Sequence, residues 1–469
     1  MKKPLKLTIC CLGIAIASLC VGLLLQSDDC SLCNKKPKYV FYFIGDGMGP
    51  SHVLGTELYL GEMQGVIGRP QQLCFTQFPS TAFVTTFSAS NGVTDSAASG
   101  TALATGNKTN NGFLGVTPDG TPVYSVAKAA QEAGYAVGLS TTVPINHATP
   151  GAFYAHQKSR NYYAQIAREM LTADYHFYAG GDPICSNSER EQLYKDAEAQ
   201  GYAIARGYAD YKTKSNAAKM MLYQKEVATQ IPYTIDRTED DLTLAQITEA
   251  GIDFLSKKSK KGFFFMVEGG KIDYASHDDD AATMMHEVMD FNAAIEVAYE
   301  FYKQHPGETL IIVTADHETG GIVLGFKGSY TLNLKALSGQ KVSEDKLEEI
   351  LIAAAKEKQL SWDETASLLK ENMGLWKEAQ ISDEQSETLK KLHESYAAAD
   401  TQEKREKALI RIANQAKYLV SNAAAVSWAS GNHSGTFVPL FAIGKGSDNF
   451  KGVIDNTDIP KIIKRITKY

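Results

Sequence analysis

The sequence predicts an α/β fold, a central, mostly parallel sheet with helices on both faces, carrying a helical insertion late in the chain. Three observations predict it. Five short runs, Tyr39 to Ile44, Ala136 to Leu139, Phe263 to Val267, Leu310 to Val313 and Phe437 to Ile443, are continuously apolar, β-branched or aromatic, as strands buried on both faces are. Stretches with helical periodicity separate them, among them Val123 to Ala133, Leu244 to Leu255 and Met284 to Tyr302. From about residue 338 to 425 the composition shifts to Ala, Glu, Lys, Leu and Gln without a strand-like run, and segments such as KLEEILIAAAKEKQL repeat every 3.6 residues. Because a strand-like run resumes at Phe437, this stretch reads as an insertion of amphipathic helices into one domain spanning 36–469.

A chain of 469 residues with 44% apolar content can bury a large core. Its net charge of −7 and lack of any run of five Lys or Arg speak against a nucleic-acid-binding surface or a polybasic membrane surface. At the N-terminus, Lys2, Lys3 and Lys6 precede an apolar stretch from Leu7 to Leu25. Residues 1–35 therefore read as an export signal or N-terminal membrane anchor followed by a linker, which places the protein in the periplasm or anchored facing it. Ala15 and Ala17 offer a cleavage site, and released and anchored forms both stay open. Of seven cysteines, Cys10, Cys11 and Cys20 fall in this segment, leaving Cys30, Cys33, Cys74 and Cys185. Cys30 and Cys33 form a CxxC pair without the second pair a zinc ribbon needs, so they read as a disulfide or as unpaired thiols.

The residues that carry chemistry follow the strands. IGDGMGP, residues 44–50, sets Asp46 between two glycines. Pro50 breaks the dinucleotide fingerprint, leaving a turn aspartate or a cation ligand. In VTDSAASGTALATG, residues 93–106, Ser96 stands where small residues start a helix, a place that favours an anion. The segment is neither a GxSxG elbow nor a P-loop, so Ser96 is a helix cap or a nucleophile awaiting activation. In VEGGKIDYASH, residues 267–277, Asp273 and His277 are four apart and share a helix face, while Glu268 ends an apolar strand and needs a cation or several donors. VTADHETGG places Asp316 and His317 side by side after a strand, and SGNHSGT carries His433 in a glycine-rich loop. Open α/β sheets bind ligands beyond the carboxyl ends of their strands, where Asp46, Glu268, Asp316 and His317 would lie.

Taken in order, these five segments resemble those of the alkaline phosphatase family, across the chain outside its insertion and N-terminal segment. The resemblance implies hydrolysis of phosphate monoesters to alcohol and inorganic phosphate through a phosphoserine on Ser96, with two zinc ions and one magnesium ion. It implies Asp273, His277 and His433 on the first zinc and Asp46, Asp316 and His317 on the second. Asp46 would also reach a magnesium held by Glu268 and Thr149, and Arg160 would clamp the phosphate. His147 and Tyr274 lie beside the implied magnesium and phosphate sites, where the best-known bacterial members carry Asp and Lys. Small phosphate monoesters as substrates and a homodimer follow from the same resemblance. A diesterase, sulfatase or phosphonate hydrolase of the superfamily is the competing enzymatic reading, against which Glu268 and Thr149 speak. A non-catalytic binding protein is the other, against which the complete set of ligands and nucleophile speaks.

Overall fold

The computed structural model describes residues 36–326 and 330–469; the N-terminal segment read as an export signal, with Cys30 and Cys33, lies outside the described residues. Eight strands come first: β1 (Tyr39–Gly45), β2 (Ser80–Thr85), β3 (Ala136–Pro144), β4 (Phe177–Gly181), β5 (Tyr202–Arg206), β6 (Lys219–Tyr223), β7 (Phe263–Gly269) and β8 (Thr309–Thr314). Four two-residue strands follow, β9 (Glu318–Thr319), β10 (Val323–Leu324), β11 (Val426–Ser427) and β12 (His433–Ser434), then β13 (Val438–Gly444) and β14 (Gly452–Asp455). The main sheet has ten strands in the order β14-β2-β13-β8-β1-β7-β3-β4-β6-β5. All of its pairings are parallel except those of β13, which runs antiparallel to β2 and β8.

All five strand-like runs of the sequence are strands of this sheet. The strands that sequence reading passed over are its margins. β2 alternates buried and exposed residues, and β14 is mostly exposed, so neither shows a continuous apolar run. β4, β5 and β6 are five residues each, too short to stand out by periodicity.

Side-chain alternation along β1 shows how both faces are covered. Phe41 and Phe43 point one way, onto Phe301 and Phe291 of the helix Ala281–Gln304. Tyr42 points the other way, against Phe153, and its hydroxyl donates to the Leu103 carbonyl of the helix Ser96–Thr105. That second helix is buried along its whole length, which its small residues permit.

Among its described residues, the stretch between β10 and β11 forms four α-helices, Glu344–Glu357, Trp362–Met373, Asp383–Ala397 and Gln402–Ala423. Each begins at a Ser or Thr whose side chain accepts a hydrogen bond from the first turn, namely Ser343, Ser361, Ser382 and Thr401. Their apolar stripes, including Leu347, Leu369, Leu389 and Ile412, are buried. The seam with the rest of the chain is polar. Asp280 caps the helix Ala281–Gln304 through Thr283 N–H and also accepts from Gln340 Nε2 (2.8 Å) and Glu344 N–H (3.1 Å). Asp236 accepts from Ser343 N–H at 2.8 Å. Two carboxylates of the α/β unit thus hold the first turn of the first inserted helix, where charge and orphan N–H groups favour them.

Replacing Asp280 with Ala removes a cap and strands buried donors on both sides of this seam. The expected cost is about 2–4 kcal/mol, read as a lower denaturant midpoint.

Candidate metal centre

β8, β1 and β7 are adjacent and parallel, so the residues ending them meet at one edge of the sheet. Asp46 follows β1, Glu268 lies in β7 opposite Ile44, and Asp316 and His317 follow β8. All four are fully buried. Gly47 turns the chain away at φ +75°, and a Cβ there would fall 2.8 Å from Thr319 Oγ1 and 3.0 Å from the Asp273 backbone. No larger residue fits that approach. The short helix Lys271–His277 puts His277 Nε2 3.4 Å from Asp273 Oδ1, the helical i, i+4 pairing its spacing predicts. His433 arrives from the far end of the chain because β12 pairs with β9, setting it opposite Thr319.

Hydrogen bonding fixes which ring nitrogens face inward. Thr319 Oγ1 donates to Asp273 Oδ1 and therefore accepts from His317 Nδ1, at 3.2 Å. His277 Nδ1 donates to the Gly431 carbonyl and His433 Nδ1 to the Thr94 carbonyl, both at 2.8 Å. Rings so held turn their Nε2 atoms toward the site. Those of His277 and His433 face each other at 3.2 Å, with Asp273 Oδ1 at 3.4 and 3.7 Å. That of His317 lies 3.2 Å from Asp46 Oδ1 and 3.4 Å from Asp316 Oδ2. Groups of ligand atoms this close can hold a cation between them.

A third group comprises Asp46, Glu268 and His147, with one ligand atom of each within 4.8 Å of the others. Both carboxylate oxygens of Asp46, both of Glu268, and His147 Nδ1 are buried without a hydrogen-bond partner. Such orphans are rare in folded proteins and costly. His147 stands beside these carboxylates; because its Nε2 accepts from Arg160, its neutral ring carries the proton on Nδ1. Thr149 donates to Asp316 Oδ2 at 3.3 Å.

Ser96 is the first residue of its helix, capped by Asp95, whose carboxylate accepts from Ala98 N–H at 3.0 Å. Its Oγ lies 3.1 Å from His317 Nε2. Arg160 reaches the same mouth, with Nη1 donating to Asp95 (3.1 Å) and Nη2 to His147 Nε2 (3.0 Å). Tyr274 sets its ring edge-on to His147, centroids 5.8 Å apart. All twelve residues singled out from the sequence thus converge at this edge of the sheet. Sequence reading passed over Asp95, Thr319 and Thr94, each within or next to a quoted motif. What marks them is the partner they hold, which spacing does not reveal.

The charges follow from this crowding. Burial, with Asp316, Asp273 and Glu268 adding repulsion, pushes Asp46 far above the usual carboxylate range. Burial lifts Asp316 and brings Glu268 to about 8. Burial and His433 press His317 well down, and burial with Arg160 takes His147 to about 3. Against its own burial, Asp95 is held low by Arg160 and two backbone N–H groups. The donor sets fit cations: mixed imidazole and carboxylate suit zinc, and the oxygen-rich Asp46 and Glu268 suit magnesium.

A family model described as alkaline phosphatase matches residues 37–179 and 186–469. Alkaline phosphatase 4 of Bacillus subtilis is 32% identical, over 100% of this chain and 97% of its own. The crystal structure of a cold-active alkaline phosphatase from a psychrophilic Shewanella superposes with a TM-score of 0.78 at 31% identity, over 92% of this chain and 99% of that one. A histidine-to-glutamate mutant of the TAB5 alkaline phosphatase, with magnesium bound in its M3 site, matches with a TM-score of 0.64 at 26% identity, over 93% and 99%.

In metal-stripped protein the buried acids keep protons that the unfolded chain has released, so stability falls as pH rises. For Glu268 the window opens near its ordinary pKa of 4.5 and closes near 8. Melting temperatures of chelator-treated protein are expected to drop across that window, and added zinc and magnesium to flatten the slope.

Proposed function

We propose a phosphoserine mechanism at Ser96, with two zinc ions and one magnesium ion, for this chain, which belongs to the alkaline phosphatase family. It is a phosphomonoester hydrolase. What carries the finer reading is the Ser96 hydroxyl at a helix N-terminus, 3.1 Å from His317 Nε2 in a cluster that demands cations. Asp273, His277 and His433 would hold the first zinc, and Asp46, Asp316 and His317 the second. Glu268, Asp46 and Thr149 would hold magnesium, with His147 in reach. Bound there, the cations would lower the proton affinity of Ser96 and balance charge on the entering and leaving oxygens.

The chain's own residues do the rest. Ser96 Oγ forms a bond to phosphorus as the bond from phosphorus to the alcohol oxygen breaks, and the alcohol leaves with a proton. Water then displaces Ser96, regenerating its hydroxyl and yielding inorganic phosphate. Arg160 spends one N–H of each terminal nitrogen on Asp95 and His147, and keeps one on each for phosphate oxygens. Asp95 positions that guanidinium and caps the helix whose N–H groups face the anion.

The basic and apolar character of residues 1–35 supports export, released into the periplasm or anchored to the membrane facing it. Among the described residues no helix is long and apolar enough to cross a membrane. Assembly as a homodimer rests on family resemblance.

Ser96→Ala is expected to abolish the covalent intermediate and nearly all turnover while the fold persists. Acid trapping with peptide mapping checks it, and phosphate on another residue sinks the assignment.

Because His147 neighbours Asp46 and Glu268, and Tyr274 packs on His147, the double change His147→Asp with Tyr274→Lys restores a carboxylate and a cation there. Magnesium and product phosphate should each bind about tenfold tighter or more, measured by equilibrium dialysis and by phosphate inhibition.

A further inference from the structure

Glu318 stands between two proposed ligands without being one. It follows His317 directly, and on β9 it lies opposite Ser434, the residue after His433. Its side chain is buried and belongs to none of the candidate cation groups among the described residues. Three donors converge on it. Oε2 accepts from the Ser434 hydroxyl and from Gly321 N–H (3.2 Å), and Oε1 accepts from Ile322 N–H (3.3 Å). Its stem packs against the turn that follows Asp46, where a Cβ on Gly49 would fall 2.2 Å from Glu318 Cγ. One carboxylate thus touches three segments that carry ligands, the turn after β1, the turn after β8 and the loop of His433.

Of these, the His433 loop has the least support from the fold. Asp46, Asp316 and His317 follow strands in the middle of the ten-stranded sheet, and Asp273 and His277 share one helix. His433 is carried by the two-residue strand β12, paired with the equally short β9. A ladder of that length is marginal by itself. Next to it, Gly320 N–H donates to the Asn432 carbonyl at 2.9 Å. The bond from Ser434 to Glu318 adds a charge-assisted tie at the residue beside the ligand.

We propose that Glu318 is a positioning residue for the first metal group. Through Ser434 it holds His433 where its Nε2 lies 3.2 Å from His277 Nε2 and 3.7 Å from Asp273 Oδ1. The proposal rests on the ligand assignment above. The place requires a carboxylate, because glutamine has one acceptor oxygen and either orientation of its amide sets an N–H against that of Gly321 or Ile322. His433 belongs to the first group alone, so the effect falls on one zinc.

To test this, the zinc-loaded full chain is dialysed against a graded series of chelator-buffered zinc solutions, and bound zinc is counted by elemental analysis. Ser434→Ala removes the tie and leaves Glu318 its two backbone partners, whereas Ser434→Thr keeps the hydroxyl. Ser434→Ala and Glu318→Gln are each expected to weaken one zinc equivalent about tenfold or more, with the other within about twofold. Ser434→Thr should hold both as the parent does. In a His433→Ala background, Ser434→Ala should cost less than about twofold further, because the ligand through which it acts is gone. Equal weakening of both equivalents, no weakening, no rescue by threonine, or an undiminished loss on top of His433→Ala overturns the role. A parent that binds no zinc overturns the ligand assignment itself, a separate failure.

Discussion

Everything at the functional edge of this protein depends on one electrostatic constraint, the need for cations among buried lone pairs. Four carboxylates, Asp46, Glu268, Asp273 and Asp316, are buried beside three imidazoles that turn their Nε2 atoms inward. In an apolar interior this arrangement is strongly unfavourable by itself. It can be kept only if the fold over-determines it and cations neutralise it. The surroundings do the first: Thr319, Gly431 and Thr94 fix the rings, while Gly47 and His317 N–H groups hold Asp316.

The parallel sheet explains why such a cluster can be assembled. Parallel neighbours end at the same edge, so β8, β1 and β7 deliver acidic residues from three distant parts of the chain with no loop rearrangement. The strand that breaks the pattern has its own role. β13 runs antiparallel beside β8, so the segment entering it starts at the functional edge, and His433 sits just before that start.

Arg160 links the phosphate-binding and magnesium-binding halves of the proposed site. One end of its guanidinium neutralises Asp95, the cap of the nucleophile helix, and the other meets His147, within reach of Asp46 and Glu268. A change at His147 therefore alters both the third cation group and the orientation of the phosphate clamp. The insertion, clasped at its first turn by Asp236 and Asp280, supplies none of the proposed ligands.

By itself the sequence determined the strands buried on both faces and the helices of the insertion, because periodicity and continuous apolar runs are local signals. It also placed Asp46, Glu268 and Asp316 at strand ends, since a carboxylate directly after such a run has few other places to be. The edge strands β2 and β14 and the five-residue β4, β5 and β6 were not legible, because half-exposed or very short strands carry no pattern of their own. Nor could spacing tell that His433, in an unremarkable glycine-rich loop, faces His277 across 3.2 Å; family resemblance supplied that link. Only the tertiary structure decided which ring nitrogens face inward and that His147 lies within reach of Asp46 and Glu268. Ring orientation and orphaned polar atoms are properties of groups brought together from far along the chain, and no local stretch of sequence contains them.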